Sequence, residues 1–197
     1  MTMDVTIRSI TGPELIDVLP GLARLRIEIF AGWPYLYEGD LLYESNYLRE
    51  FSRAPDAVVV AALDNENLVG AATASPMRAQ SETFRRPFEE RGMDTSRLFY
   101  FGESVLFPEY RGRKIGHAFF DHREAQARSC GATAAVFAAV VRPETHPHKP
   151  EGYTPLDGFW MRRGYRPIET LTTQLSWPER TDGVSTVKTM QYWTRDL

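Results

Sequence analysis

Glu103-Ser104-Val105-Leu106-Phe107-Pro108-Glu109-Tyr110-Arg111-Gly112-Arg113-Lys114-Ile115-Gly116-His117-Ala118 runs from an apolar segment through a glycine turn into a helix start. Leu98–Phe107 reads as a buried strand. A helix follows over roughly 114–129, with Ile115, Ala118, Phe119, His122 and Ala125 on one face and Gly131 at its C-terminal cap. Helix N-termini present N–H groups without intrahelical partners and a partial positive charge. Gly112 and Gly116 let backbone approach a ligand closely, and Arg111, Arg113 and Lys114 add positive charge. An anionic diphosphate needs that combination. The string is not a Walker loop, which requires Gly-x-x-x-x-Gly-Lys and then Ser or Thr. Nor does Gly-x-Gly-x-x-Gly, the dinucleotide fingerprint, occur anywhere in the chain.

Upstream, Asp4–Ile10 alternates polar and apolar and reads as a half-buried strand. Leu15, Leu19, Leu22, Leu25 and Ile29 have helical spacing, and Pro20-Gly21 predicts a break with the helix proper from about Pro20. An aromatic, acidic loop covers 31–40, and Leu41–Phe51 reads as a second helix. Ala57–Leu63 and Leu68–Ala74 make a hairpin around Asp64-Asn65-Glu66-Asn67. Ser81–Gly92 reads as a surface helix or loop. Downstream, Ala134–Val141 is a buried strand and Arg142–Gly152 a loop rich in Pro and His. Thr154-Pro155 predicts a helix start, with the helix ending near Gly164. Strands at about 169–176 and 185–193 close the chain around a turn at Arg180–Gly183. No repeat or linker divides it, so residues 1–197 are expected to form one domain, a mixed α/β sheet with helices packed on it.

The chain has 197 residues, 43% of them hydrophobic and 25% charged, a soluble-globular balance rather than a disordered one. The net charge of −3 argues against a nucleic-acid partner. One cysteine, Cys130, excludes an internal disulfide and a multi-cysteine zinc site. His146-Pro147-His148 has no third ligand at defined spacing, so no metal is expected. No apolar run approaches the roughly 20 residues that span a bilayer. The N-terminus carries Asp4 and Arg8 where a signal peptide would be apolar, which gives a cytoplasmic expectation with no membrane partner.

Pro108–Gly116 resembles motif A of the GNAT superfamily, the acyl-CoA-dependent N-acyltransferases, whose signature is Arg/Gln-x-x-Gly-x-Gly/Ala after a strand. Arg111 and Gly116 match its ends; Lys114 stands where the middle glycine is usual, a departure that bears on the local backbone. Phe159-Trp160-Met161-Arg162-Arg163-Gly164-Tyr165 resembles the second hallmark, an aromatic pair followed by Gly-Phe/Tyr. The resemblance implies a mostly antiparallel sheet of about seven strands, helices on both faces, and a splayed V between strands 98–107 and 134–141. It implies acetyl transfer from acetyl-CoA, as cosubstrate, to a small-molecule or protein amine. Coenzyme A would be held by Val105, Leu106, Phe107, Arg111, Gly112, Arg113, Lys114, Ile115, Gly116, His117 and Ala118, with the pantetheine against Leu106 and Phe107. Tyr153 falls where relatives carry a pantetheine-binding asparagine. Many relatives pair through sheet edges, which allows a homodimer.

Within that frame Glu103 is the expected general base, since an ammonium must lose a proton before attack. Tyr153 is the candidate proton donor for the leaving thiolate, because Trp160 occupies the usual tyrosine position. Trp33, Tyr35, Tyr37 and Glu38 from the first loop, and His146 from the second, are expected to contact the acceptor. Two other readings stand beside this one: a degenerate acyl-CoA-binding regulatory domain, and a plain nucleotide-binding module using the same helix mouth.

Overall fold

In the computed structural model, which describes residues 5–181 and 183–197, the alternating segment at the start of the chain forms β1 (Val5–Thr11). Asp4 and Asp182, read into that strand and into the last turn, lie outside the described residues. The chain continues through α1 (Leu15–Phe30), α2 (Leu41–Ser52), β2 (Val58–Asp64), β3 (Asn67–Pro76), α3 (Glu82–Glu89) and β4 (Leu98–Leu106). It then forms α4 (Ile115–Ser129), β5 (Ala134–Val140), α5 (Asp157–Arg162), β6 (Arg166–Pro178) and β7 (Ser185–Asp196). All seven strands join one sheet in the order β1-β2-β3-β4-β5-β7-β6, antiparallel except where β4 meets β5. This is the mixed α/β, mostly antiparallel architecture expected from the sequence.

Strand alternation decides which helix covers which face. Val58, Val60 and Ala62 of β2 pack with Ile115, Phe119 and Phe120 of α4. Val59 and Ala61 pack on the other face with Leu19, Leu22 and Leu25 of α1 and Leu48 of α2. Each of the buried Val, Leu, Ile and Phe side chains among these contributes about 1.5–3 kcal/mol, and each Ala less. Tyr110 and Asp40 fix element ends: the Tyr110 hydroxyl donates to Asp64 Oδ2 at 2.7 Å, and Asp40 caps α2 by accepting from the Tyr43 N–H at 2.7 Å.

Some expectations change. Pro20 does not break α1, which runs unbroken from Leu15. The carbonyl it leaves without a partner belongs to Ile16, on the exposed side of the helix, and water can satisfy it. The last helix begins at Asp157, later than Thr154-Pro155 predicts, because those two residues stay outside the helix. Ser81–Gly92 contains a real helix, α3, anchored by the buried Phe88. On α4, Ala125 is exposed and His122 is partly exposed, its Nδ1 2.8 Å from Ser9 Oγ; the buried face instead carries Phe120, Arg123, Glu124 and Ala127.

The parallel pairing of β4 with β5 covers only Leu98↔Ala134, Phe99↔Ala135 and Tyr100↔Val136. Beyond it β4 stays with β3 as far as Gly70↔Leu106, and β5 stays with β7 as far as Val140↔Met190. The two strands therefore part, and the expected V is present. A register shift between Ala72 and Ala74 lets two β4 residues, Gly102 and Glu103, stand opposite Thr73. Such a bulge bends its strand and adds twist. Arg123 of α4 reaches its carbonyls, donating to Thr73 O at 3.3 Å and Glu103 O at 3.5 Å, and to Ser104 Oγ at 3.0 Å.

Gly102 is required for close approach, since a Cβ there would lie 2.3 Å from Thr73 Oγ1. Gly102→Ala is expected to destabilise the protein by about 1–3 kcal/mol in urea unfolding, with partial recovery in the Thr73→Ala/Gly102→Ala double variant.

Candidate active site

The helix mouth is built by one compact loop. After β4, Pro108–Tyr110 forms a single 3-10 turn and Arg111 is extended. Gly112 has φ +77° and Lys114 has φ +63°, ψ 7°, immediately before Ile115 opens α4. Lys114 thus adopts the left-handed backbone that a glycine takes without strain, at a cost of about 1–2 kcal/mol. Ala118 N–H, donating to Lys114 O at 3.2 Å, makes the first intrahelical bond. The N–H groups of Ile115, Gly116 and His117 lie ahead of it, at the open mouth.

Arg111, Gly112, Arg113 and Lys114 are all exposed there. Arg111 reaches back to Leu106 O at 3.4 Å, and Arg113 donates to Glu109 O at 3.2 Å while covering the Tyr110 ring. Gly116 lies flush against α5, because a Cβ there would meet Phe159 at 3.7 Å. The His117 ring meets the Phe159 edge and its Nδ1 lies 3.2 Å from Arg163 Nη1, so that side chain is engaged with α5. Ile115 is buried, which leaves only its backbone for a ligand. Val105, expected to hold coenzyme A, is buried as well, and its pairing with Ala71 turns its main-chain groups onto β3, in step with Phe107, so it has none for a ligand.

The edge of β4 beside the gap is more selective than the sequence suggests. The Phe107 N–H donates to Val69 O at 3.1 Å and is spent on β3. Antiparallel alternation then turns the Leu106 and Ser104 N–H groups toward the gap. Of the pair Leu106 and Phe107, only Leu106 has a main-chain donor for a thioester carbonyl.

Glu103 sits on the bulge, its side chain only 4% exposed. Its Oε2 lies 2.6 Å from Arg26 Nη1, while its buried Oε1 has no hydrogen-bond partner. Arg26 also pairs with Glu44 Oε2, and Tyr37 donates its hydroxyl to Glu44 Oε1 at 2.9 Å. The guanidinium lies 4.7 Å from the Tyr47 ring centroid and 5.2 Å from that of Phe30. Burial by itself would lower the Arg26 pKa, but the Glu103 and Glu44 carboxylates outweigh it and hold it above the ordinary value. Burial pulls the Arg123 guanidinium, behind the same strand, down to about 10, so it stays charged at neutral pH.

The loop residues divide. Trp33 stands in an aromatic wall with His146, ring centroids 4.9 Å apart, and Tyr153, 6.0 Å and edge-on. Its buried Nε1 lacks a partner. Burial and the nearby Arg142 charge lower the His146 pKa, which favours neutral imidazole. Burial raises that of Tyr153, so its phenol remains protonated. Tyr35 packs between Phe30 and Trp177, and burial pushes its hydroxyl up to about 12. Tyr37 is committed to Glu44, and Glu38 is exposed beside Gly183 at the hairpin tip. The structure therefore groups Trp33, His146 and Tyr153 and gives Tyr37 and Glu38 other surroundings.

Arg26, Glu44 and Arg123 were not singled out from sequence. A signal existed: Arg26 follows Leu22 by four residues and Arg123 follows Phe119 by four, so each charge interrupts an apolar stripe. Among the described residues, no group of three or more His, Cys, Asp or Glu could hold a metal ion.

Comparison with solved structures finds this fold many times over. An aminoglycoside 6′-N-acetyltransferase complexed with coenzyme A aligns at TM-score 0.58 and 17% identity, over 97% of this chain and 96% of that one. The PaiA N-acetyltransferase of Thermoplasma acidophilum, also with coenzyme A, aligns at 0.56 and 14%, over 99% and 100%. A ribosomal-protein-alanine N-acetyltransferase from Brucella melitensis aligns at 0.58 and 16%, over 98% and 99%. At these identities the likeness is one of fold. No curated protein sequence matches the chain significantly. The model of the acetyltransferase (GNAT) family matches residues 22–149. The chain belongs to the GNAT acetyltransferase family, whose general chemistry is acyl transfer.

Lys114→Gly removes the strained left-handed lysine, and the variant is expected to gain about 1 kcal/mol in thermal or urea unfolding.

Proposed function

We propose that the protein moves the acetyl group of acetyl-CoA to a primary amine by direct attack in a ternary complex. The reading is supported above all by one juxtaposition. The gap between β4 and β5 has the α4 mouth beyond the end of β4, and a buried carboxylate oxygen without a partner on the strand beside it. The exposed N–H groups, Gly112 and the flanking cations fit a diphosphate by charge and by close approach. The solved relatives named with coenzyme A support the same donor.

In this scheme the acceptor ammonium gives a proton to Glu103, directly or through one water. The freed nitrogen pair attacks the thioester carbon, and the Leu106 N–H steadies the developing oxyanion. The carbon–sulfur bond then breaks, its electron pair leaves on sulfur, and the nitrogen, cationic since the attack, gives its second proton to water to leave the neutral amide. Tyr153, kept protonated by burial, supplies a proton to the thiolate, or water does. Trp160 does not serve, having no acidic proton; its ring packs on Phe137 and Trp193, 4.9 and 5.1 Å between centroids. The missing tyrosine is also compatible with the second reading, an acyl-CoA-binding regulatory domain without turnover, while Glu103 argues against it.

An amine panel with acetyl-CoA, followed by free-thiol release, separates the two: release with at least one amine supports catalysis, and coenzyme A binding without release supports the regulatory domain. Glu103→Gln is expected to lower kcat by about 10²-fold or more, most at low pH where the amine is protonated. Arg111→Ala combined with Gly116→Asp is expected to raise the KM for acetyl-CoA while leaving the unfolding transition intact; an unchanged KM removes the helix mouth from donor binding.

A further inference from the structure

We propose that Arg26 is a positioning residue, one that fixes Glu103 by a single carboxylate oxygen and, through its sharing with Glu44, sets how readily the other oxygen takes a proton. The inference rests on the reading of Glu103 as general base.

Among the described residues, the buried side-chain polar atoms left without a partner are Trp33 Nε1, Glu103 Oε1 and Arg163 Nε. An unpaired carboxylate oxygen at that depth costs desolvation free energy that folding does not recover. It lies on the bulge where β4 leaves β5, the position from which the strand edge opens. The other oxygen, Oε2, is held at 2.6 Å by Arg26 Nη1. The Arg26 contact therefore removes one oxygen from proton chemistry and presents the other in a fixed direction.

Arg26 is itself immobilised. Its guanidinium lies over the Tyr47 and Phe30 rings and is paired on its Nε side with Glu44, whose side chain is fully buried. Glu44 in turn accepts from Tyr37. One cation thus serves two carboxylates. With Glu44 present, Glu103 receives part of the Arg26 charge; without it, Glu103 would receive nearly all.

The other groups facing Glu103 do not supply this control. Tyr35 from the loop, Tyr47 from α2 and Tyr100 from β4 are phenols whose pKa values burial raises, so they stay neutral. Arg123 of α4 carries charge, but it donates to the main-chain carbonyl of Glu103 rather than to the carboxylate. Arg26 and Glu44 are the two charges in contact with, or one step from, the side chain itself.

Opposite shifts follow. Arg26→Met withdraws the cation, so Glu103 holds a proton more readily. The acid limb of kcat/KM for the amine should move to higher pH by about one unit or more. Glu44→Gln leaves Arg26 to Glu103 alone, and the limb should move to lower pH while the plateau rate falls. Arg26→Lys, which keeps charge without the planar fork, should lie between wild type and Arg26→Met. A role confined to packing would not move the limbs in opposite directions.

The same shifts can be read without turnover, by a pH titration of side-chain carboxyl carbons in glutamate-labelled protein, with the Glu103 signal assigned by its loss in Glu103→Gln. The Arg26→Met/Glu44→Gln double variant strands no second charge, and it replaces Arg26→Met if that protein does not fold. Superimposed Glu103 titrations in wild type, Glu44→Gln and the double variant would overturn the proposal, as would shifts of one sign in Arg26→Met and Glu44→Gln. If the titrations shift as expected while no amine is acetylated, the tuning stands and the general-base reading falls.

Discussion

Three residue pairs join β4 to β5, and then the strands separate. The bulge that places Gly102 and Glu103 opposite Thr73 bends β4 at the point where this pairing stops. Its carbonyls are held by a guanidinium that α4 sends through the core, stacked over Phe101 and Phe120. Three features then share one origin: the opened strand edge, the direction of Glu103, and the line of β4 into the α4 mouth. Pairing of a parallel sheet is ordinarily continuous and covered by helices on both faces. Here its interruption leaves main-chain groups of Leu106 and Ser104 for something other than β5.

Buried charge organises the molecule on both sides of that split. On the α1–α2 side, Arg26 joins Glu44 and Glu103. On the α4 side, Glu124 accepts from Arg163 of the α5 end, Arg195 of β7 and the Tyr165 hydroxyl. The second network matters because α5 buries no residue fully. Its Arg163 contact and the Phe159 contact with Phe120 hold it beside the helix mouth. Buried ion pairs contribute little net stability, yet losing one partner costs about 3–5 kcal/mol, so both networks fix geometry more than they raise stability.

The loop between α1 and α2, the proposed acceptor side, takes its shape from the far end of the chain. Arg142 donates to Pro34 O at 2.7 Å, to Tyr35 O at 3.0 Å and to Glu179 at 2.7 Å. The Trp177 indole donates to Tyr35 O at 2.9 Å, and the buried Lys188 lies over the Trp177 ring while pairing with Glu179. The loop between α1 and α2 is thereby clamped to the β6–β7 hairpin. Trp33 is left facing His146 and Tyr153, whereas Tyr37 turns inward to Glu44.

The order of elements, the helix mouth and the family motifs were legible in sequence because they rest on local rules. Apolar periodicity marks strands and helices, and a glycine turn with flanking cations before a helix marks free N–H groups that suit an anion. The tolerance of Pro20 and the left-handed backbone of Lys114 were not legible, since each conflicts with a local preference that packing overrides. Nor could the sequence say which oxygen of Glu103 is free, that Phe107 has lost its donor to Val69, or which loop aromatics meet. Those facts depend on residues such as Arg26, Glu44 and Arg123, distant in sequence, sharing one low-dielectric space where every polar atom needs a partner. Local pattern determined the elements; the satisfaction of buried charge across them, a property of the assembled fold, decided the site.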